Sequence, residues 1–182
     1  MFRDRTLMPA EALRLAALGI LAERGAMAYA ALATEVRLFT ASFGGSPVDV
    51  MSSSIELLRF EGLIRTVAEA DDPGDAVVEL TEEGRDTIAE LLQAPIKSGN
   101  AYAKLLTALK MRFLALLPAD RQAEQIDMLA ETRQGELARL LDLRTKLADH
   151  NPGFIAWLDH EIGRIETDLV WLRGIETSVC RE

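Results

Sequence analysis

The chain has 182 residues, 49% hydrophobic and only 5% aromatic, which suits one compact domain or two small ones and excludes a disordered chain. Its 29 acidic residues against 20 basic ones give a formal charge of -9, which argues against nucleic acid and acidic membrane surfaces unless positive charge is gathered locally. A single cysteine, Cys180, excludes an internal disulfide framework and fits a reducing cytoplasm, and no apolar run approaches the roughly 20 residues of a membrane-spanning helix.

Pro9-Ala10-Glu11 places a proline and an acid in a first helical turn, and good helix formers run on to Arg24, where Gly25 offers a stop. The apolar stretch from Leu15 to Ala22, behind Arg3 and Arg5, has the outline of a secretion leader. Asp4 and Glu11 spoil its basic part and Glu23-Arg24 close it, so an amphipathic helix is expected instead. A second helix is predicted over 28–40, with Leu32, Val36 and Phe39 on one face. Ser46-Pro47-Val48-Asp49 then combines a hydroxyl cap, a proline at the first helical position and an acid three residues after the cap. The third helix so started runs to Glu61, with Met51, Ile55 and Leu58 inward.

After Gly62, the segments 63–68 and 76–80 read as two strands around the turn Asp71-Asp72-Pro73-Gly74-Asp75. Thr81 caps a fourth helix that opens with Glu82 and Glu83. Past Pro95 the strand signals cease. Helical stretches are predicted over 102–117 and 118–147, and a last one from the Asn151-Pro152 start to about Thr177. In this last helix Ile155, Leu158, Ile162, Ile165, Leu169 and Leu172 are spaced 3, 4, 3, 4, 3, the seam of a coiled-coil-like contact. A weaker seam through Ile126, Leu129, Leu137, Leu140 and Leu147 is interrupted by Arg133 and Arg144. So much apolar helix surface leads to the expectation that a second copy covers the seam of the last helix, making a homodimer.

Three helices followed by a hairpin form a winged helix-turn-helix, a mainly α architecture with a two-stranded wing, in which the third helix normally enters the major groove of DNA. The expected domains are a winged domain over 1–95 and a helical dimerisation domain over 96–182. The stretches Leu18-Gly19-Ile20-Leu21-Ala22, Leu58-Arg59-Phe60-Glu61-Gly62-Leu63-Ile64 and Leu80-Thr81-Glu82-Glu83-Gly84-Arg85 resemble the successive signatures of PadR-like winged-helix transcriptional regulators. The acid-rich last helix, with Glu166 and the run Asp168-Leu169-Val170-Trp171-Leu172, resembles the dimerisation region of the virulence-activator-like branch of that family. The resemblance implies a cytoplasmic homodimer that binds a pseudo-palindromic operator on double-stranded DNA, usually as a repressor.

The chain departs from the family pattern where it would meet DNA. Tyr29-Ala30 stands where relatives carry a Gly-Tyr pair, Met51-Ser52-Ser53 where they carry Leu-Tyr-Pro, and Glu56-Leu57 where they carry a basic pair. On the wing, Asp75-Ala76 replaces Arg or Lys, behind Asp71 and Asp72. Through Pro95 there are 8 basic and 16 acidic residues, against 12 and 13 from Ile96 onward, so the acidity sits on the expected DNA reader. Such a domain should bind random DNA poorly and with a shallow salt dependence. The expected base readers are Ser46, Asp49, Ser52, Ser53 and Glu56, the last accepting from cytosine; the expected backbone contacts are Arg3, Arg5, Tyr29, Arg37, Arg59 and Arg65.

An alternative is an acidic winged-helix module that docks a basic protein partner. A third reading uses Trp157 and Trp171, fourteen residues apart on nearly one helix face, to line a site for a flat small-molecule effector. His150 and His160 have no metal-ligand spacing, and the phosphate-loop, nucleophile-elbow and zinc-protease patterns are absent, so neither a cofactor nor catalysis is expected.

Overall fold

The computed structural model describes residues 9–44, 51–96, 102–147 and 151–179; the side chains of residues 9, 44, 51–54 and 176–179 lie outside the description. Helices α1 (Pro9–Arg24), α2 (Tyr29–Gly44) and α3 (Met51–Phe60) are followed by strands β2 (Ile64–Ala68) and β3 (Val77–Leu80), then α4 (Glu82–Gln93). The predicted order is present, with one addition. Met27–Ala28 forms a short strand, β1, that pairs antiparallel with β3, so the sheet has three strands in the order β1-β3-β2. A strand of two residues has no periodicity to read, and the prediction had assigned Ala28 to the second helix.

Helix α1 is the centre of this unit. Leu15, Ala16, Ala17, Leu18 and Ile20 are fully buried, and α2, α3, α4 and β3 all pack on it. Two of the signature glycines have steric reasons. A Cβ on Gly19 would lie 2.5 Å from the Phe113 ring, and one on Gly84 would run into the backbone carbonyl oxygen of Leu63. Gly62, with φ at +76°, occupies the left-handed region that lets the chain turn sharply out of α3 into β2.

Past residue 96 come α5 (Ala103–Arg112), a 3-10 turn at Leu114–Leu116, and the 28-residue helices α6 (Ala119–Lys146) and α7 (Pro152–Val179). The compact units divide the described chain differently from the expected boundary at 95/96. Residues 9–44, 51–95 and 102–117 form one unit, and Ile96 with 118–147 and 151–179 the other. Helix α5 packs on α1 and α2, with Phe113 filling the space that Gly19 leaves. Arg112 pairs with Glu23 at 2.9 Å and lies over the rings of Phe39 and Phe113. Including α5 also tempers the acidity, since residues 99–117 bring Lys104, Lys110 and Arg112 and no acid; the first unit then holds 11 basic against 16 acidic residues. Among the described residues, no helix is long and apolar enough to cross a membrane.

Lys110 is the cation that α5 buries. It is 1% exposed, and its ammonium donates to the carbonyls of Leu92 and Ala94 at the end of α4, the latter at 2.6 Å. It thus caps the C-terminus of α4 from another helix, where a positive charge also suits the helix dipole. Desolvation lowers its pKa from 10.5 to about 8.

Two outcomes are expected. Gly84→Ala should lower unfolding free energy by about 2 kcal/mol, read by urea denaturation, because the Leu63 carbonyl is backbone and has little room to move. For Lys110, the folded chain gives up its proton near pH 8 while the unfolded chain holds it to about 10.5. Stability should therefore rise with pH across that window by up to roughly 3 kcal/mol, a gain that Lys110→Met should remove from the wild-type-minus-variant difference.

Candidate functional site

Helix α3 is held by Ile55 and Leu58, each 2% exposed, on its inward face. The same helical phase turns Glu56, Leu57, Arg59 and Phe60 outward, with Phe60 90% exposed. The C-terminal end of α3 is tied to the sheet and to α4 by Thr81. The Thr81 hydroxyl donates to the Gly62 carbonyl at 2.8 Å and accepts from the Gly84 N–H at 3.1 Å, while the Thr81 N–H donates to the Leu63 carbonyl at 3.1 Å. At the other side of the wing, the Tyr29 N–H donates to the Ala76 carbonyl and the Ala30 N–H to the Gly74 carbonyl. Helix α2 therefore begins on the wing's second half. Asp72 closes the turn by accepting from the Gly74 N–H at 2.8 Å, which gives one acid of the wing tip a structural use.

The arginines of this unit are mostly committed to glutamates. Arg59 pairs with Glu56 at 2.9 Å on α3, and Arg65 on β2 pairs with Glu79 directly across on β3. Arg14 pairs with Glu61, Arg24 with Glu35 and Arg112 with Glu23. Arg37 and Arg85, both exposed, have no ion pair among the described residues. Tyr29 joins this network. Its side chain is half-buried, and its phenol pKa is raised above 10.0, first by desolvation and then by the charge and hydrogen bond of Glu56, with Arg59 opposing.

Of the residues expected to meet DNA, Tyr29, Glu56 and Arg59 are thus brought into one cluster, and Arg37 and Arg65 are exposed on α2 and the wing. Ser52 and Ser53 fall in the first turn of α3, but their side chains lie outside the described residues, as do Arg3, Arg5, Ser46 and Asp49 altogether. Sequence reasoning did not single out the outward Leu57 and Phe60. Their phase relative to Ile55 and Leu58 was the available signal.

The seam of α7 requires a correction. Leu158, Ile162, Ile165, Leu169 and Leu172 are at most 8% exposed within the single chain, and Ile155 is half-buried. The partner helix is α6 of the same chain, against which α7 packs along its length. Arg133 and Arg144, which interrupt the α6 seam, reach across to Asp168 at 3.5 Å and Asp159 at 2.7 Å and fasten the pair at two levels. The apolar surface left open lies elsewhere: Leu141 and Leu143 on α6, and Trp157, Val170 and Trp171 on α7.

Trp157 and Trp171 are 52% and 51% exposed, and Trp157 stacks on Phe154 at 5.8 Å. The open groove on the stretch of α7 between them is lined by Asp159, His160, Gly163, Arg164, Thr167 and Asp168, not by either indole. Among the described residues, no three His, Cys, Asp or Glu side chains gather as a metal site would require. His150 and Cys180 lie outside the description.

Residues 2–176 match the AphA-like transcriptional regulator family. No functionally curated relative matches the chain. Among solved structures it is similar to Bacillus subtilis PadR, at 18% identity over 97% of this chain and 99% of that one, with a TM-score of 0.41. The same protein in complex with operator DNA matches at 20% identity over 92% and 98%, with a TM-score of 0.39. Bacillus cereus BC1756, a PadR-like regulator, matches at 16% identity over 92% and 97%, also with a TM-score of 0.39.

One outcome tests the corrected seam. Ile162→Asp with Leu169→Asp should place two charges between α6 and α7 and cost well over 3 kcal/mol, seen as a loss of helical circular dichroism and not merely as a change of oligomeric state.

Proposed function

The chain belongs to the AphA-like family of transcriptional regulators, and from that premise we propose that it binds operator DNA as a homodimer and acts as a repressor in the cytoplasm. The observation that carries this reading is the outward face of α3, held against the wing by Thr81 and left open to solvent. In this reading Ser46, Asp49, Ser52 and Ser53 meet base edges from the start of the recognition helix. Arg37 and Arg65, with Arg3 and Arg5, meet phosphates.

The dimer forms through the apolar surface that the α6–α7 pair leaves open. Leu137, Leu140 and Leu147 are half-buried, Leu141 and Leu143 are exposed, and Trp157, Val170 and Trp171 add a second exposed apolar row on α7. A chain with this much apolar surface on one helix pair gains by covering it with a second copy. Two α3 helices then enter major grooves about one helical turn apart, and bound protein blocks the promoter.

A second reading is favoured by a specific observation. Five of the seven described arginines in the winged unit are neutralised by glutamates, while Leu57, Phe60 and Val67 are exposed. Such a surface suits a basic protein partner.

Selection of genomic fragments by the purified protein, followed by footprinting, decides between the two. Repressor function requires enrichment of a pseudo-palindromic sequence with protection on one face of the duplex. Absence of any enriched sequence at low salt would remove the DNA reading and leave the protein-docking one. In the same preparation, Val170→Glu with Trp171→Ser should yield monomers in sedimentation velocity with helical content unchanged.

A further inference from the structure

The inward residues of α3 define its outward crest. With Ile55 and Leu58 buried against the core, helical phase puts Phe60 opposite them and Leu57 beside it, three residues apart and hence neighbours on the helix surface. Phe60 is 90% exposed and Leu57 48%. Their charged neighbours are already occupied. Arg59 holds Glu56 at 2.9 Å, and Glu61, just past the helix end, holds Arg14. Among the described residues α3 therefore offers no uncommitted cation to the guanine acceptors that arginine usually reads, and what its crest does offer is apolar.

On the major-groove edge of a base pair the apolar group is the C5-methyl of thymine. We propose that Leu57 and Phe60 are specificity-determining residues that read thymine methyls, so that the half-site this protein recognises is defined by apolar contact with thymine and not by cation contact with guanine. The inference rests on the DNA-binding reading above and names the bases it selects. The dimensions agree. Three residues of helix rise about 4.5 Å, against about 3.4 Å between successive bases on one strand, so the two side chains reach adjacent base pairs.

A protein partner fits this strip less well. A specific protein interface covers about 800 Å² on each side, whereas Leu57 and Phe60 form a strip two residues long, bordered by Glu56, Arg59 and Glu61. A major groove about 12 Å wide admits a helix with such a crest. The Glu56–Arg59 pair beside it carries no net charge, so the strip brings no bare carboxylate to the bases.

The test starts from a pool of random-sequence duplexes, from which the full chain selects its own site. The selected duplex is then made with deoxyuridine in place of thymidine, one position at a time; uracil keeps the pairing and the O4 acceptor and lacks only the methyl. In binding followed by anisotropy, the wild type should lose about fourfold at one or two thymines of each half-site, the equivalent of about 0.8 kcal/mol for one buried carbon. Leu57→Ala and Phe60→Ala should each bind the thymine duplex more weakly and lose nothing further from uracil at the position that side chain covers. Both side chains are exposed, so helical circular dichroism should stay unchanged. Leu116→Ala, at an exposed leucine beyond α5, should keep the wild-type response.

A selected half-site that lacks thymine, or a wild type indifferent to uracil at every thymine, would overturn the inference and leave the DNA reading standing. So would variants that bind the thymine duplex as the wild type does, or that keep its full loss at every uracil position. Selection of no duplex at low salt removes the DNA reading and this inference together, and leaves Leu57 and Phe60 to a protein partner.

Discussion

The end of α3, the wing and α4 are tied together at one threonine. Thr81 belongs to the last signature stretch, yet its hydroxyl and N–H are spent on the carbonyls of Gly62 and Leu63 at the end of the middle one. The same hydroxyl caps α4 through the Gly84 N–H, and Gly84 must lack a side chain because the Leu63 carbonyl occupies that space. Two short motifs about twenty residues apart are thus the two halves of one contact. It adds a polar tie between α3, the wing and α4 to the packing that already sets all three against α1. A net hydrogen bond contributes on the order of 1 kcal/mol, so what matters here is the convergence of several on one point.

A second constraint comes from α5, which the chain places after the polar segment near residue 97 but packs among the helices before it. Phe113 enters the notch made by Gly19, Arg112 binds Glu23 and lies over Phe39, and Lys110 closes the end of α4. The winged unit is therefore completed by a segment that its local pattern assigns to the helical region. Burying a lysine is costly, and the cost is offset only because two backbone carbonyls at a helix end need donors. Each partner settles the other's problem.

The charge pattern acquires a different meaning once partners are known. Counting residues along the chain makes the winged part look hostile to DNA. In space, five of the seven described arginines of that unit each hold a glutamate, and among the described residues only Arg37 and Arg85 are left without an acid. Surface ion pairs of this kind add little to stability. Their effect falls on recognition, because a cation already holding a carboxylate releases fewer counterions when it meets a phosphate.

By itself the sequence determined the order of the helices and of the two wing strands, most helix starts and stops, the inward phase of Ile55 and Leu58, the 3-4 period of the α7 seam and the family. These are local properties, carried by caps, glycines and spacing within one or two turns. Tertiary structure alone decided what each face meets. Periodicity marks Leu158, Ile162, Ile165, Leu169 and Leu172 as a face to be covered but is silent on whether another chain or α6 covers it. Pairs such as Arg14 with Glu61 and Arg112 with Glu23 join residues 47 and 89 positions apart, and nothing local predicts them. Side-chain chemistry and helical phase are written residue by residue, whereas the partner of a charge or an apolar face depends on where the rest of the chain folds.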